Sequence, residues 1–238
     1  MSITKAIILA AGMGSRIKKL YPNKPKCLIE IPQKKISIIG RQIQLLKKNN
    51  IKDILIVTGY KSNILKKELS KYKQIRFAYY PHYKLTNNLN TLLYFKSEIN
   101  TGFVCLFADV VFDKKILDNL ITKKNNIVAV IDTSKSLKDT MRVKIKKKRL
   151  TDIGSHILTK KSHGNFIGIC KFSKKGSNLL KENLSYLSQK FSDYYTIAIK
   201  RMIKNNHVIS YFDCRGLFWK EIDTMQDYKE LKKSLPKI

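Results

Sequence analysis

The residues best suited to chemistry stand near the start of the chain, in Leu9-Ala10-Ala11-Gly12-Met13-Gly14-Ser15-Arg16, with Pro25-Lys26 a short way on. An apolar run, Ala6 to Leu9, comes directly before them and predicts a short buried strand. A strand that empties into a Gly-rich turn aims several backbone N–H groups at one point, and glycine lets an anion come close to the main chain. Arg16 and Lys26 add positive charge near that point. Such a cradle suits the phosphates of a nucleotide, and so predicts an enzyme acting on a nucleoside triphosphate. It differs from the two commoner phosphate loops. A dinucleotide G-x-G-x-x-G lacks its third glycine here and gains the cation of Arg16 instead, and no Walker-type G-x-x-x-x-G-K-[ST] string occurs. A bare G-x-G also makes an ordinary turn, but the full string followed by Pro-Lys is far harder to produce by chance.

The elements that must position this loop alternate through the first half. Strands are expected at Ala6–Leu9, Asp53–Val57, Ile75–Tyr79, Phe103–Phe107 and 127–131. Helices are expected at Ile38 to Leu46, where Ile39, Ile43 and Leu46 share one face, at Ser62–Tyr72 with Ser62 as its cap, and at 115–122. This alternation implies an α/β fold: a Rossmann-like, mixed but mainly parallel sheet flanked by helices. Ligands bind beyond the carboxyl ends of strands in such sheets, so the cradle after the first strand and Asp109 after the fourth would share one crevice. The second half is less regular. Met141–Lys146 and Arg149–Ile153 read as a hairpin, Asn165–Lys171 and Val208–Phe212 as strands, and Phe172–Leu184, Tyr194–Ile203 and Thr224–Lys233 as helices. The expectation is a single domain over 1–238, with a core of about 1–135 and 205–238 and a small acceptor-side lobe of about 136–204 inserted in it.

Among 238 residues, 48 are Lys or Arg and 17 are Asp or Glu, a net charge of +31. Such a field attracts anions of any kind. The basic runs at Lys47-Lys48, Lys66-Lys67 and Lys144 to Arg149 are scattered, however, and the chain is rich in Lys, Asn and Ile throughout. They read as solvated faces rather than a dedicated nucleic-acid patch. The four cysteines, Cys27, Cys105, Cys170 and Cys214, and the histidines His82, His156, His163 and His207 show no metal-ligand or disulfide spacing. The cysteines read as reduced thiols in a cytoplasmic protein. The first apolar run is too short for a signal peptide or membrane span. No Ser-His or Cys-His dyad is evident to supply a general base.

Further strings extend the pattern: N-K-P-K-C-L (23–28), R-Q-I-Q-L-L (41–46), V-T-G-Y-K (57–61), T-N-N-L-N-T-L (86–92), A-D-V-V-F-D (108–113), M-R-V-K-I (141–145), F-I-G-I-C-K-F-S (166–173) and W-K-E-I-D-T-M-Q-D (219–227). With the cradle, these resemble the nucleotidyltransferase superfamily that includes the sugar-1-phosphate nucleotidylyltransferases, and within it the phosphocholine and phosphonate cytidylyltransferases. The resemblance spans nearly the whole chain, in order. It implies the nucleotide-diphospho-sugar transferase type of fold with a small substrate lobe. It also implies an enzyme that uses Mg2+ to join CTP to a small phosphorylated or phosphonylated acceptor with release of pyrophosphate, for decoration of surface polysaccharide or lipid.

Carried onto this sequence, the resemblance implies that Ala11, Gly12 and Gly14 line the base and phosphates, with Leu9, Ala10, Met13, Gly59, Asn88 and Ala108 beside them. Thr91 stands where relatives place a serine near base and ribose. Arg16 would hold the outer phosphates and Lys26 the phosphate of the reacting partner, while Asp109 and Asp223 would hold Mg2+. These four, Arg16, Lys26, Asp109 and Asp223, are the expected catalytic set. For the acceptor, Tyr80, Asp193, Tyr194, Tyr195, Trp219 and Glu221 would form an aromatic and acidic box for an amine or quaternary ammonium. Phosphocholine, 2-aminoethylphosphonate and phosphorylated amino-acid amides such as phosphoglutamine would suit it. Asn87, Asn88 and Asn90 keep a sugar 1-phosphate open as acceptor, and a basic nucleic-acid-binding protein is the reading from another class. No nucleic-acid partner and no membrane span is expected, and the chain is expected as a monomer or homodimer.

Overall fold

The computed structural model of the chain describes residues 3–19, 21–187 and 193–234. Its strands are β1 (Lys5–Ala10), β2 (Glu30–Ile31), β3 (Ile36–Ser37), β4 (Asp53–Thr58), β5 (Ile75–Tyr79), β6 (Phe103–Phe107) and β7 (Val110–Phe112). β8 (Ile127–Asp132), β9 (Met141–Lys146), β10 (Arg149–Gly154), β11 (Gly164–Phe172), β12 (Ser210–Asp213) and β13 (Trp219–Glu221) follow. The helices are α1 (Ile38–Lys48), α2 (Ser62–Leu69), α3 (Asn88–Tyr94), α4 (Lys114–Ile121), α5 (Lys174–Tyr186), α6 (Thr196–Lys204) and α7 (Met225–Ser234). The chain thus adopts the expected α/β fold, with a mixed sheet and flanking helices. It divides into two units. One comprises Thr4–Lys84, Leu106–Asp118 and Leu217–Ile238, and the other Met1–Ile3, Leu85–Cys105 and Asn119–Gly216.

In the first unit, β1 pairs in parallel with β4, from Lys5 opposite Asp53 to Ala10 opposite Thr58, and β4 pairs in parallel with β5. Parallel strands covered on both faces read as continuous apolar runs, and Ala6, Ile7 and Ile8 are wholly buried. Helix α1 is capped by Ser37, whose Oγ accepts from the Gly40 N–H at 3.1 Å. Its buried face includes Ile39, Ile43 and Leu46, each worth about 1.5–3 kcal/mol on removal from water. A short antiparallel ladder sets Trp219, Lys220 and Glu221 of β13 opposite Phe112, Val111 and Val110 of β7. A local core of Ile17, Ile29, Ile31, Ile38, Val111, Ile222 and Leu231 lies behind it.

In the second unit, β9 and β10 form the expected hairpin, joined by Lys147 and Lys148, both at positive φ (49° and 58°). That is the geometry of a tight two-residue turn. β11 runs antiparallel to both β8 and β9, and β12 runs parallel to β8. The β11–β8 register shifts between Phe166 and Cys170, and Gly168 within that break takes φ 80°, which glycine adopts without steric cost. Among the described residues, no helix is long and apolar enough to cross a membrane.

Several boundaries differ from expectation. Ser62 does not cap α2: Lys61, in the left-handed region, is the cap residue, and the Ser62 hydroxyl pairs with Thr58 Oγ1 at 2.8 Å. α2 stops at Leu69 rather than Tyr72. Phe172 is the last residue of β11, and α5 begins beyond the Ser173 cap. α6 starts at Thr196, not Tyr194, and β12 at Ser210, not Val208. β2, β3, α3, β7 and β13 were not anticipated.

All four cysteines are buried. Burial pushes the thiols of Cys27 and Cys105 up to about 12, and those of Cys170 and Cys214 are raised by the same cause. A thiolate is the reactive form, so the folded protein is expected to be inert. Titration with a disulfide reagent at pH 8 should find no fast-reacting thiol in the native protein and all four after denaturation. A thiol reacting rapidly without unfolding would contradict this packing.

Candidate functional site

The cradle leaves β1 at Ala10. Ala108 N donates to Leu9 O at 3.3 Å and Tyr60 N donates to Ala11 O at 3.1 Å, so neighbouring segments clasp the loop at both sides. Gly59 has no room for a side chain, since a Cβ there would lie 2.7 Å from Ala11 O and from Tyr83. Gly59 therefore supports the loop by close packing. Gly12 faces open space, whereas Gly14 takes φ 58° and a Cβ on it would come within 2.9 Å of Lys26 Cβ. Glycine at 14 thus serves the turn and the close approach of the lysine. Met13 is exposed.

Lys26 opens a short 3-10 turn after Pro25. Its Nζ lies 2.6 Å from Asp109 Oδ2 and 2.5 Å from Asp223 Oδ1, with only 15% of the side chain exposed. Arg16 Nη2 reaches the other oxygen of Asp223 at 2.8 Å from a largely exposed position. All four expected catalytic residues therefore meet in the first unit. In this state both cations are engaged by carboxylates.

A fifth residue joins them. Asp109, Glu221 and Asp223 each place a carboxylate oxygen within 4.8 Å of the others. At that separation two ionised carboxylates repel by about 3 kcal/mol at an effective dielectric of about 20. Glu221 yields: burial, then the charges of Asp109 and Asp223, raise its pKa to about 8 against the pull of Lys26 and Arg16. It holds its proton at neutral pH. Burial opposes the charge on Lys26, but the two aspartates outweigh it and raise its pKa above the ordinary lysine value. Asp109 Oδ1 is buried and, among the described residues, has no hydrogen-bond partner.

Glu221 was expected at the acceptor rather than in this cluster. The signal lay in W-K-E-I-D: residues two apart along an extended segment point to one side, and Glu221 and Asp223 have that spacing. What brings Asp109 to them is backbone pairing, with Ile222 N donating to Asp109 O at 3.0 Å and Asp113 N to Phe218 O at 2.8 Å. The Asp109 loop is also held from α1. Buried Gln42 donates through Nε2 to Phe107 O (2.9 Å) and Val110 O (2.8 Å), on either side of Ala108-Asp109. Its neighbour Arg41 donates to Phe112 O at 2.9 Å. Neither had been given a role, although both stand in R-Q-I-Q-L-L.

Asp223 is free for the cluster because another residue caps α7. Asp227 Oδ2 accepts from the Thr224 N–H at 2.8 Å and from the Asp223 N–H at 3.1 Å, while Asp227 N donates to Thr224 Oγ1 at 3.2 Å. This reciprocal bonding is a capping box.

The remaining expected residues fall as follows. In the first unit Tyr80 is buried with its ring edge-on to His82, and Trp219 is half-buried in β13. In the second unit Asn88 Oδ1 accepts from Tyr195 N at 2.7 Å, and Leu89 N donates to Asp193 O at 3.3 Å, which ties residues 193–195 to α3. Ser192, directly before these residues, lies outside the described residues. Thr91 is buried, its hydroxyl directed to Asn87 O at 3.4 Å. Tyr194 is partly exposed. Tyr195 departs from the acceptor expectation: it is wholly buried, edge-on to Phe166 and close to Cys105. It packs the core of its unit and presents no face to a ligand.

Comparison with known proteins places this geometry in context. Residues 5–141 match the model of a family described as nucleotidyl transferase. The chain is 28% identical to the CTP:phosphoglutamine cytidylyltransferase of Campylobacter jejuni subsp. jejuni serotype O:2, over 93% of its own length and 96% of that protein's. It is 35% identical to the choline-phosphate cytidylyltransferase of Streptococcus pneumoniae over 50% of each. The solved CTP:phosphocholine cytidylyltransferase from Streptococcus pneumoniae shares the fold, with a TM-score of 0.82 at 24% identity over 99% of this chain and 100% of that one.

The clamp from α1 is testable on its own. Gln42→Leu removes both bonds to the Asp109 loop and is expected to cost about 2 kcal/mol in urea denaturation. An unchanged midpoint would mean that the loop is held by its strand bonds alone.

Proposed function

Because the chain belongs to the nucleotidyl transferase family, we propose that it is a cytidylyltransferase: it joins CTP to a small phosphorylated or phosphonylated acceptor and releases pyrophosphate. Phosphocholine, 2-aminoethylphosphonate and a phosphorylated amino-acid amide such as phosphoglutamine are the acceptors proposed. The observation that carries this reading is the Lys26–Asp109–Asp223 cluster at the foot of the Gly-rich cradle. The names of the relatives from C. jejuni and S. pneumoniae support the choice of CTP.

A phosphomonoester has a second pKa near 6, so the attacking oxygen is already largely deprotonated at neutral pH. No general base is needed. The difficulty is the meeting of two anions, and Lys26 and Arg16 are the groups that answer it. Lys26, buried and raised in pKa, stays charged throughout the working pH range. The exposed guanidinium of Arg16 can leave Asp223 for an outer phosphate at little cost, since exposed pairs are worth about 0–1 kcal/mol. The backbone N–H groups of Gly12 and Gly14 would add donors to the nucleotide phosphates.

The cluster fits Mg2+. Its donors are all oxygen, as a hard cation prefers, and Asp109 Oδ1 is buried with no hydrogen-bond partner among the described residues. Asp109 and Asp223 would hold the ion, with Glu221 beside them. When bound, it would supply charge against the nucleotide phosphates and the departing pyrophosphate.

Crossing the four common nucleoside triphosphates with phosphocholine, 2-aminoethylphosphonate, phosphoglutamine and sugar 1-phosphates, and reading pyrophosphate release, tests the assignment. CTP with one of the first three acceptors is expected to dominate, and turnover confined to sugar 1-phosphates would overturn the acceptor class. Activity should vanish in EDTA and return with Mg2+. Asp109→Asn and Asp223→Asn should each lower kcat/KM by about a hundredfold or more, equivalent to about 2.7 kcal/mol, with unchanged circular dichroism. Lys26→Ala should lower kcat more than it raises the KM for CTP, because its charge is needed most as the phosphates react. Loss of CTP affinity at unchanged kcat would place Lys26 in ground-state binding instead.

A further inference from the structure

A cavity of about 500 Å³ opens in the first unit between the turn after β2, helix α1 and the segment after α2. It is separate in its residues from the cradle and the carboxylate cluster. Lys34, Lys35, Arg41 and Lys71 line it, and no Asp or Glu does. Tyr72 and Ile36 supply the apolar part of its wall.

Surface lysines are expected in a chain with 48 basic residues, so their number alone decides nothing. Their concave arrangement and lack of compensation are more informative. Among the described residues, none of the four cations has a carboxylate within ion-pair distance; Lys71 Nζ instead lies over the Tyr72 ring, 5.7 Å from its centroid. Arg41 spends Nη2 on Phe112 O, while its Nε is buried and has no hydrogen-bond partner. Burial lowers the pKa of Arg41, with the charge of Asp113 pulling the other way. A partly desolvated guanidinium that no carboxylate pairs with favours an anion beside it.

The walls are also shaped by constraint. Gln33 and Lys35 take φ 62° and 48°, and Lys34 N donates to Ile31 O at 3.1 Å, so the turn that presents Lys34 and Lys35 is a defined one. Across from it, Tyr72 reaches α1 so closely that a Cβ on Gly40 would lie 2.6 Å from its hydroxyl. Glycine at 40 makes room for that wall.

We propose that this cavity is a second anion-binding site, built for a ligand carrying two or more phosphates. Four cations exceed what one monophosphate can satisfy, and the volume falls in the range of about 300–1,000 Å³ usual for small-molecule sites. Inorganic polyphosphate and a nucleoside triphosphate share the recognised chemistry. The Tyr72 ring offers the nucleotide a stacking surface that the inorganic anion would not use.

The test is amine-reactive footprinting read by mass spectrometry, which needs no turnover and so is independent of the proposed activity. Tripolyphosphate in one arm and CTP in the other, in EDTA and about 0.15 M salt to screen surface attraction, should slow labelling of Lys34, Lys35 and Lys71. Labelling of the exposed Lys124 and Lys147 should be unchanged. Protection by both probes or by tripolyphosphate alone supports a phosphate site, and stronger protection by CTP assigns the nucleotide. The Lys34→Ala/Lys71→Ala double variant changes exposed side chains and is expected to fold normally. It should raise the concentration that half-protects Lys35 by roughly tenfold, about 1.4 kcal/mol. Equal slowing at Lys124 and Lys147, no protection by either probe, or an unshifted concentration in the variant would overturn the site.

Discussion

The ammonium of Lys26 between Asp109 and Asp223 is the interaction on which the candidate site depends. Three carboxylates lie within 4.8 Å of one another in a largely buried place. Left ionised and uncompensated, they would repel by several kcal/mol in total at an effective dielectric of about 20. Two devices prevent this. Lys26 and Arg16 balance the charges of Asp109 and Asp223, and Glu221 keeps a proton to about pH 8. The cluster is thus close to neutral while presenting several oxygen ligands and two cations. These oxygens and cations are held in place by one another.

The surrounding scaffold works to keep these groups in register. The β7–β13 ladder brings the end of β13 alongside the Asp109 loop. Gln42 holds the loop from helix α1, through carbonyls on each side of Ala108-Asp109. Thr224 and Asp227 cap α7 between themselves, so Asp223 need not. Gly14 allows Lys26 to lie against the cradle. Each is a backbone constraint or one from a wholly or partly buried side chain, which holds position better than exposed ion pairs do.

The net charge of +31 is spread unevenly in its consequences. At the carboxylate cluster positive charge is fully answered by negative charge. Lys220 is likewise matched, by Asp227 at 3.0 Å and Glu230 at 2.6 Å. At the cavity beside α1 no carboxylate among the described residues pairs with it. Total charge therefore says little about binding, whereas local imbalance in a concave, partly desolvated place says a good deal.

Much of this was legible in the sequence because it rests on local patterns. The apolar runs of β1, β4 and β5, the helical spacing of Ile39, Ile43 and Leu46, and the Gly-rich exit from β1 each express a period or a turn rule. The ordered motifs resembled one superfamily, and Arg16, Lys26, Asp109 and Asp223 do come together. The sequence could not show where Glu221 belongs, since its meeting with Asp109 is made by a ladder between two three-residue strands too short for any periodic signal. Nor could it separate an aromatic that faces a ligand from one that fills a core. Tyr194 and Tyr195 are adjacent, yet one is partly exposed and the other sealed against Phe166, because burial depends on what packs from distant parts of the chain. Composition and spacing chose the chemical groups; long-range packing decided which of them share a site, and so which charges must be balanced there.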